Sequence, residues 1–546
     1  MLEGLMQHDH PLTLRHVLDR MRGMNGHGEV ITLTEGESDR VSYAEIGERV
    51  DRLCAALRAL GIGDGDRVAT FSWNTQRHLE VYLGVPCMGA VLHTLNIRLF
   101  PEQLTYVANH AQDQLVFVDG SLIDTIAPVA DTFETVRHFI VMGDGDASAL
   151  PGEVLRYEDL LAAQEPSFAY PEIDERQAAG LCYTSGTTGN PKGVLYSHKS
   201  NVLHTIGQCL SDGVGIGSAD RVLPIVPMFH ANAWGFPYAC ALTGAAMVMP
   251  SRFVAPEPLA RAIEGERVTI AGAVPTVWLD LLRYADANQP DLSTLRTVIC
   301  GGAAVPEALM RAFEERHGVR IVQAWGMTET SPLASVSYPP EGVEGEEKWA
   351  YRVKQGRTMP LVEARLIGDD GEEVVWDGES TGELEVRGPW IARDYYEDPS
   401  GADKFHDGWL RTGDIASIDD RGFIRISDRS KDVIKSGGEW ISSVDLENAL
   451  MAHDNVVEAA VIARPDERWS ERPLACVVLA EGATLDGEAL REHLSSIVVK
   501  WWIPDAEDFV AIGEVPKTSV GKFDKKVLRA RLGEGTLSEP QSVAGD

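Results

Sequence analysis

Tyr183-Thr184-Ser185-Gly186-Thr187-Thr188-Gly189-Asn190-Pro191-Lys192-Gly193 is the stretch around which the rest of the chain is organised. Ahead of it, Ala178-Ala179-Gly180-Leu181-Cys182-Tyr183 reads as a short buried strand, and behind it Val194-Leu195-Tyr196 reads as the paired strand. The middle is a loop of small, hydroxylated residues. Its glycines let backbone approach a polyphosphate, its N–H groups and hydroxyls donate, and Lys192 supplies a point charge. It is not a Walker A loop, which needs four residues between its glycines and then Gly-Lys-Ser/Thr. Here two residues separate Gly186 from Gly189, and Pro191 precedes the lysine. The bland alternative is a flexible hairpin with no ligand, so the rest of the chain must decide.

At 546 residues the chain is too long for one core, and two or more domains are expected. Hydrophobic residues at 44% and charged residues at 24% are ordinary for a globular enzyme. A formal net charge of -34 disfavours nucleic acid and anionic membrane surfaces as partners. Seven scattered cysteines, an odd number with no Cys-x-x-Cys pair, fit a reducing cytosol rather than a disulfide framework. The start, Met1-Leu2-Glu3-Gly4, lacks signal-peptide character. The most apolar stretch, 222–250, is interrupted by Pro224, Pro227, His230, Asn232 and Pro237, which argue against a membrane span.

From the N-terminus, strands and helices alternate. Ser42 and Glu45 form a capping box for a helix running to about Leu60 and ended by Gly61. Strands at 68–71, 90–92 and 115–118 are separated by helices at 76–88 and 101–110. This alternation predicts α/β layers with a parallel sheet and right-handed crossovers. Further on, 362–367 and 382–387 alternate with period two, which suggests a small β-barrel or sheet. A compact α+β unit follows Ser443. Beyond about Leu532 the Gly/Ser/Glu-rich tail reads as disordered.

Four further stretches carry chemistry. Pro227-Met228-Phe229-His230-Ala231-Asn232-Ala233-Trp234-Gly235 is apolar around one histidine and one indole, which is also what plain packing looks like. Gly301-Gly302-Ala303-Ala304 and Gln323-Ala324-Trp325-Gly326-Met327-Thr328-Glu329 sit at the ends of two strands, where small residues let a flat ring lie on backbone. Asp414 can take two ribose hydroxyls as donors, with Arg429 as its partner, although each alone could be a surface ion. Pro516-Lys517-Thr518-Ser519-Val520-Gly521-Lys522 is a loop that projects Lys522.

In this order, over roughly residues 15–530, the stretches resemble the signatures of the adenylate-forming superfamily. That superfamily holds acyl-CoA synthetases, peptide-synthetase adenylation domains and luciferases, and the pattern here is similar to its fatty-acyl-CoA synthetases. The resemblance implies a large N-terminal AMP-binding domain (1–428), a small mobile C-terminal domain (429–532) and a tail (533–546). It implies that Thr184 to Gly189 and Lys192 hold phosphates, and that Gly302, Ala303, Ala304, Gln323, Ala324, Gly326, Met327 and Ile426 border the AMP moiety. Trp325, where tyrosine is commoner, would stack on the purine. Thr328 would bond the α-phosphate, Asp414 and Arg429 would take the ribose, and Glu329 with Thr184 would hold Mg²⁺. His230, Trp234 and Gly302 would line the acyl pocket, with Trp234 gating it. Lys431 would be the hinge, Lys435-Ser436-Gly437-Gly438-Glu439-Trp440 would face CoA, and Lys522, with Thr184 and Glu329, would drive catalysis.

The implied reaction joins a carboxylic acid to CoA with ATP and Mg²⁺, through an acyl-adenylate, and the acid is a medium- or long-chain fatty acid. A ligase for 3-methylthiopropionate and an enzyme loading a carrier protein remain alternatives within the class. A silent nucleotide- or acyl-binding sensor is the alternative outside it. The resemblance also allows a homodimer. A cytoplasmic protein is expected, with peripheral membrane contact left open.

Overall fold

The computed structural model describes residues 2, 4–184, 190–429, 432–436, 439–466, 468–518 and 523–537, without the side chains of Ser400, Glu439 and Trp440. Both halves of the capping box form. Ser42 Oγ accepts from Glu45 N at 3.2 Å, and Ser42 N donates to Glu45 Oε2 at 2.9 Å. The helix Tyr43–Ala59 buries Tyr43, Ile46, Val50, Leu53 and Leu57 along one stripe, and Gly61 at φ +81° lets the chain leave it.

The described residues form four sheets. The first has seven strands in the order Val154–Arg156, His138–Met142, Leu115–Asp119, Arg67–Phe71, Val91–Thr94, Ala178–Tyr183 and Gly193–Ser197. All neighbours are parallel except the last pair, an antiparallel hairpin at the sheet edge. The second has nine strands and a parallel centre, Ala246–Met249, Arg221–Pro224, Ile270–Ala273, Thr297–Cys300 and Ile321–Gly326. The N-terminal strand Glu29–Thr32 extends it by pairing in parallel with Ala246–Met249, a placement the sequence did not suggest. The helix Gln76–Cys87 is buried on nearly every side because it touches strands of both sheets. That is the position of a helix with apolar residues all round.

The third sheet is antiparallel: Glu363–Ile367, Gly382–Arg387, Trp409–Ile418 and Phe405–His406, with Ile424–Arg429 also on Trp409–Ile418. Glu363–Ile367 pairs with Gly382–Arg387 along its length, and at its end Ile367 also bridges Glu373, which curls residues 372–374 back onto this small sheet. The fourth begins at Ile434–Ser436 and is centred on Val456–Asp466 and Ser470–Leu479. Its core, with Leu446, Leu450, Val461 and Phe509, is separate from the cores of the large sheets. The tail boundary moves outward. The helix Lys525–Glu534 runs past residue 532, and Leu537 packs with Leu528 and Leu474. Gly535 at φ +72° turns the chain so that this leucine reaches the core.

Candidate active site

The hairpin of the opening stretch is closed at its neck. Tyr183 pairs with Gly193, Thr184 N donates to Lys192 O at 2.9 Å, and Lys192 N donates to Thr184 Oγ1 at 3.1 Å. Ser185, Gly186, Thr187, Thr188 and Gly189 lie outside the described residues. The Lys192 ammonium is 3.5 Å from Asp398 Oδ2 and 4.8 Å above the centre of the Tyr395 ring. Tyr396 N donates to Gly193 O at 2.8 Å, which brings residues 392–398 onto the hairpin.

The second wall is the end of the strand Ile321–Gly326. Gly326 must be glycine, since a Cβ there would lie 1.8 Å from Pro332 O. The turn Thr328–Thr330 follows. Tyr196 OH donates to Thr328 O at 2.6 Å, so the hairpin strand and this turn are joined directly. Tyr395 OH donates to Glu329 Oε1 at 2.6 Å, and Ala392 N donates to Glu329 O at 2.7 Å. Burial, then the Glu329 carboxylate, pushes the Tyr395 phenol above its ordinary range, so it keeps its proton and acts as a donor.

Asp414 is 2% exposed and lies inside the strand Trp409–Ile418, not at a strand end. Its Oδ1 meets Arg429 Nε at 2.8 Å, and the two residues are cross-strand partners. Its Oδ2 accepts from Trp325 Nε1 at 3.0 Å. Trp325 is 8% exposed and part of the large core, so the indole is committed to Asp414 by its edge. Gln323 does not face a ligand with its side chain. It is 2% exposed, accepts from Val305 N at 2.7 Å and donates to Val353 O and Lys354 O, both at 2.9 Å. Those bonds anchor the 301–306 loop instead. Gly302 has φ +87°, Ala303 is exposed, and Ala304 is half-buried. Ile426 N donates to Gln355 Oε1 at 2.6 Å.

Beyond Gly301 lies the apolar side. Ala231, Asn232, Ala233, Trp234 and Gly235 all have positive φ, a short left-handed turn following His230. Tyr82 OH and Cys182 Sγ donate to Asn232 Oδ1, at 3.4 and 3.5 Å, and Gln208 Nε2 donates to Trp234 O. The tip of the Trp234 ring would lie 3.7 Å from a Cβ built on Gly301. His230 and Thr184 line one narrow cavity with Asn96, Leu99, Tyr183 and His93, and His93 Nδ1 meets buried Asp113 at 2.8 Å. Two larger depressions, around Asp486–Lys500 and around Arg221–Thr294, touch none of these groups.

Residues 22–396 match the family model described as AMP-binding enzyme, and residues 445–522 match AMP-binding enzyme C-terminal domain. The chain belongs to the AMP-binding enzyme family. It is 46% identical to a long-chain-fatty-acid–CoA ligase of Thermus thermophilus, covering 95% of this chain and 96% of that one. It is 41% identical to a medium-chain-fatty-acid–CoA ligase of Ectopseudomonas oleovorans, covering 97% and 98%. With a 3-methylmercaptopropionyl-CoA ligase of Ruegeria pomeroyi the identity is 43%, covering 96% and 97%. Among solved structures, ATP-bound MatB of Rhodopseudomonas palustris superimposes with a TM-score of 0.82 at 26% identity, over 96% of this chain and 100% of that one.

In this AMP-binding enzyme, Lys431, Gly437, Gly438 and Lys522 also fall outside the described residues. Lys435 N donates to Glu471 Oε2 at 2.7 Å, and Ser436 is buried opposite the backbone of Glu439, with Lys435 opposite Trp440. Among the described residues no group of three His, Cys, Asp or Glu side chains could hold a metal ion by itself. A single carboxylate, Glu329, bonded to the same Tyr395 whose ring carries Lys192, still fits Mg²⁺, which keeps its waters and takes phosphate oxygens. Sequence reasoning gave Tyr196 only a place in a strand and missed Tyr395 and Asp398, whose only signal was the polar, aromatic run 393–398 inside a β-rich stretch.

Proposed function

We propose that this enzyme is an ATP-dependent acyl-CoA synthetase acting on medium- or long-chain fatty acids, by way of an acyl-adenylate. One observation carries the reading. The strand that carries Trp325, bonded to Asp414 and leading into Glu329, passes Gly301, where the Trp234 ring of the apolar turn also arrives, so a carboxylate leaving that turn reaches a nucleotide site. The identity to fatty-acid–CoA ligases over nearly the full chain supports the class of acid.

In the first half-reaction a carboxylate oxygen attacks the ATP α-phosphorus and pyrophosphate leaves. The task is to bring two anions together, which positioning and fixed charge accomplish. Lys522 bridges the carboxylate and α-phosphate, Thr328 donates to the α-phosphate, and Lys192 with the Thr184–Gly189 loop grips the departing pyrophosphate. Asp414, held by Arg429 and Trp325, accepts from the ribose hydroxyls. Glu329 and Thr184 would hold Mg²⁺, whose charge would offset that of the phosphates. In the second half-reaction the CoA sulfur attacks the acyl carbon and AMP leaves. The small domain turns about Lys431, withdrawing Lys522 and presenting residues 435–440 to the pantetheine arm. His230 and Trp234 line the acid's path.

Among the described residues no helix is long and apolar enough to cross a membrane. A cytoplasmic location and a homodimer are kept as proposals, the latter to be read from the mass in solution. The deciding experiment is CoA-dependent AMP release across acids from propionate to palmitate, with 3-methylthiopropionate included. Octanoate to palmitate should give the highest kcat/KM. A maximum at 3-methylthiopropionate would move the enzyme to short thioether acids, and no acid-dependent release would sink the ligase reading.

A further inference from the structure

Tyr395 stands between the two charged groups of the phosphate side. It is 8% exposed, its hydroxyl donates to Glu329 Oε1 at 2.6 Å, and its ring face carries the Lys192 ammonium 4.8 Å from the ring centre. The ring itself is wedged. Phe405 packs edge-on at 5.1 Å, and a Cβ on Gly401 would fall 2.2 Å from the Tyr395 ring, so only glycine leaves it room. The main chain on both sides is tied to the same two loops, Ala392 N to Glu329 O and Tyr396 N to Gly193 O. An ordinary buried tyrosine needs one acceptor for its hydroxyl. This one chooses a carboxylate while its face holds a lysine.

We propose that Tyr395 is a positioning residue of the nucleotide site. Its hydroxyl fixes the Glu329 carboxylate for Mg²⁺, and its ring steers Lys192 toward the pyrophosphate. The inference rests on the ligase reading above, in which Glu329 takes the metal. A hydrogen bond to a metal-binding carboxylate orients it before the metal arrives, and losing such a partner typically costs about 10–100-fold in metal affinity. The aromatic face holds one side of the ammonium while Asp398 Oδ2, 3.5 Å away, pairs with it on another, so the ring sets the direction in which the lysine points.

The two contacts separate by substitution. ATP affinity of the full-length protein is measured by calorimetry with Mg²⁺ and with EDTA. For Tyr395→Phe, which keeps the ring, the metal-dependent gain in ATP affinity should shrink by about 10-fold or more, while metal-free ATP affinity stays at the wild-type value. For Tyr395→Leu, metal-free affinity should fall as well. In a Glu329→Gln background, Tyr395→Phe should change nothing further, because the two groups act as one unit. A wild-type metal-dependent gain in Tyr395→Phe, or additive losses in the double variant, would overturn the inference. Wild-type protein lacking acid-dependent ATP–pyrophosphate exchange would overturn the ligase reading instead, so the two failures are distinguishable.

Discussion

Trp325 illustrates how much a single residue can carry. Its indole N–H is the donor to a buried carboxylate, and a hydrogen bond to a charged group contributes about 1.5–3 kcal/mol. Trp325→Phe keeps the aromatic bulk and removes the donor, leaving Asp414 to Arg429 alone. The expected result is a loss of roughly that size in urea denaturation, with a KM for ATP raised more than the KM for the acid. Equal shifts in both KM values would return Trp325 to general packing. At this scale the sequence was readable where glycine marked the backbone, as at Gly302 and Gly326. It was unreadable where a bond depends on a distant partner. Nothing in Arg393-Asp394-Tyr395 announces Glu329, and nothing in Gln323 announces that Val305, Val353 and Lys354 consume its amide.

The turn Ala231–Gly235 is the element that least resembles its sequence. Alanine and tryptophan avoid the left-handed region, at a cost of roughly 1–2 kcal/mol per residue, and only Gly235 hinted at it. The anchors that impose it, Tyr82, Cys182 and Gln208, come from three other elements. The strands and helices of the first sheet were legible because their apolar period is local, and the capping box at Ser42 is local too. A prediction follows from the turn's position against Gly301. Trp234→Ala should shift the ratio of kcat/KM for long over medium acids, and Gln208→Leu, which keeps the indole but frees its carbonyl, should shift it in the same direction. A profile unchanged in both variants would reduce the turn to a structural bend.

At the scale of the molecule the junction between the two units is polar and buried. Ser443 donates to Asp428 Oδ2 from both N (2.8 Å) and Oγ (2.5 Å), and Lys525 Nζ lies 2.6 Å from Glu447 Oε1. Burial, against the pull of Lys525, raises the Glu447 carboxyl from its ordinary 4.5 to about 7, and burial raises Asp428 as well. Burial lowers the Lys525 ammonium, and Glu447 and Asp428 more than offset it. The folded state therefore holds the Glu447 proton more tightly than the unfolded chain does. Its contribution to stability is complete below about pH 4.5 and is lost as pH rises through about 7. Replacing Glu447 with glutamine should flatten the decline of Tm across that interval, and an equally steep decline would assign the effect to other groups. Length alone called for two or more cores, but this junction was not legible, because Lys525 reaches Glu447 and Ser443 from about eighty residues away.

The bonds that assemble the nucleotide site have a consequence for how the protein is made. Tyr395 reaches Glu329 across 66 positions, Trp325 reaches Asp414 across 89, and Tyr196 reaches Thr328 across 132. Contacts of such separation form late, since long loops must close before they reward the chain. On the ribosome the first sheet can complete once Gly193–Ser197 has emerged, while Asp414 and Arg429 are still unmade. On the proposed reading, ATP therefore finds its full site only after these distant segments have joined. It stabilises the joined segments by mass action, and it gives no help to the nascent chain through the interval in which two large sheets must find each other unaided.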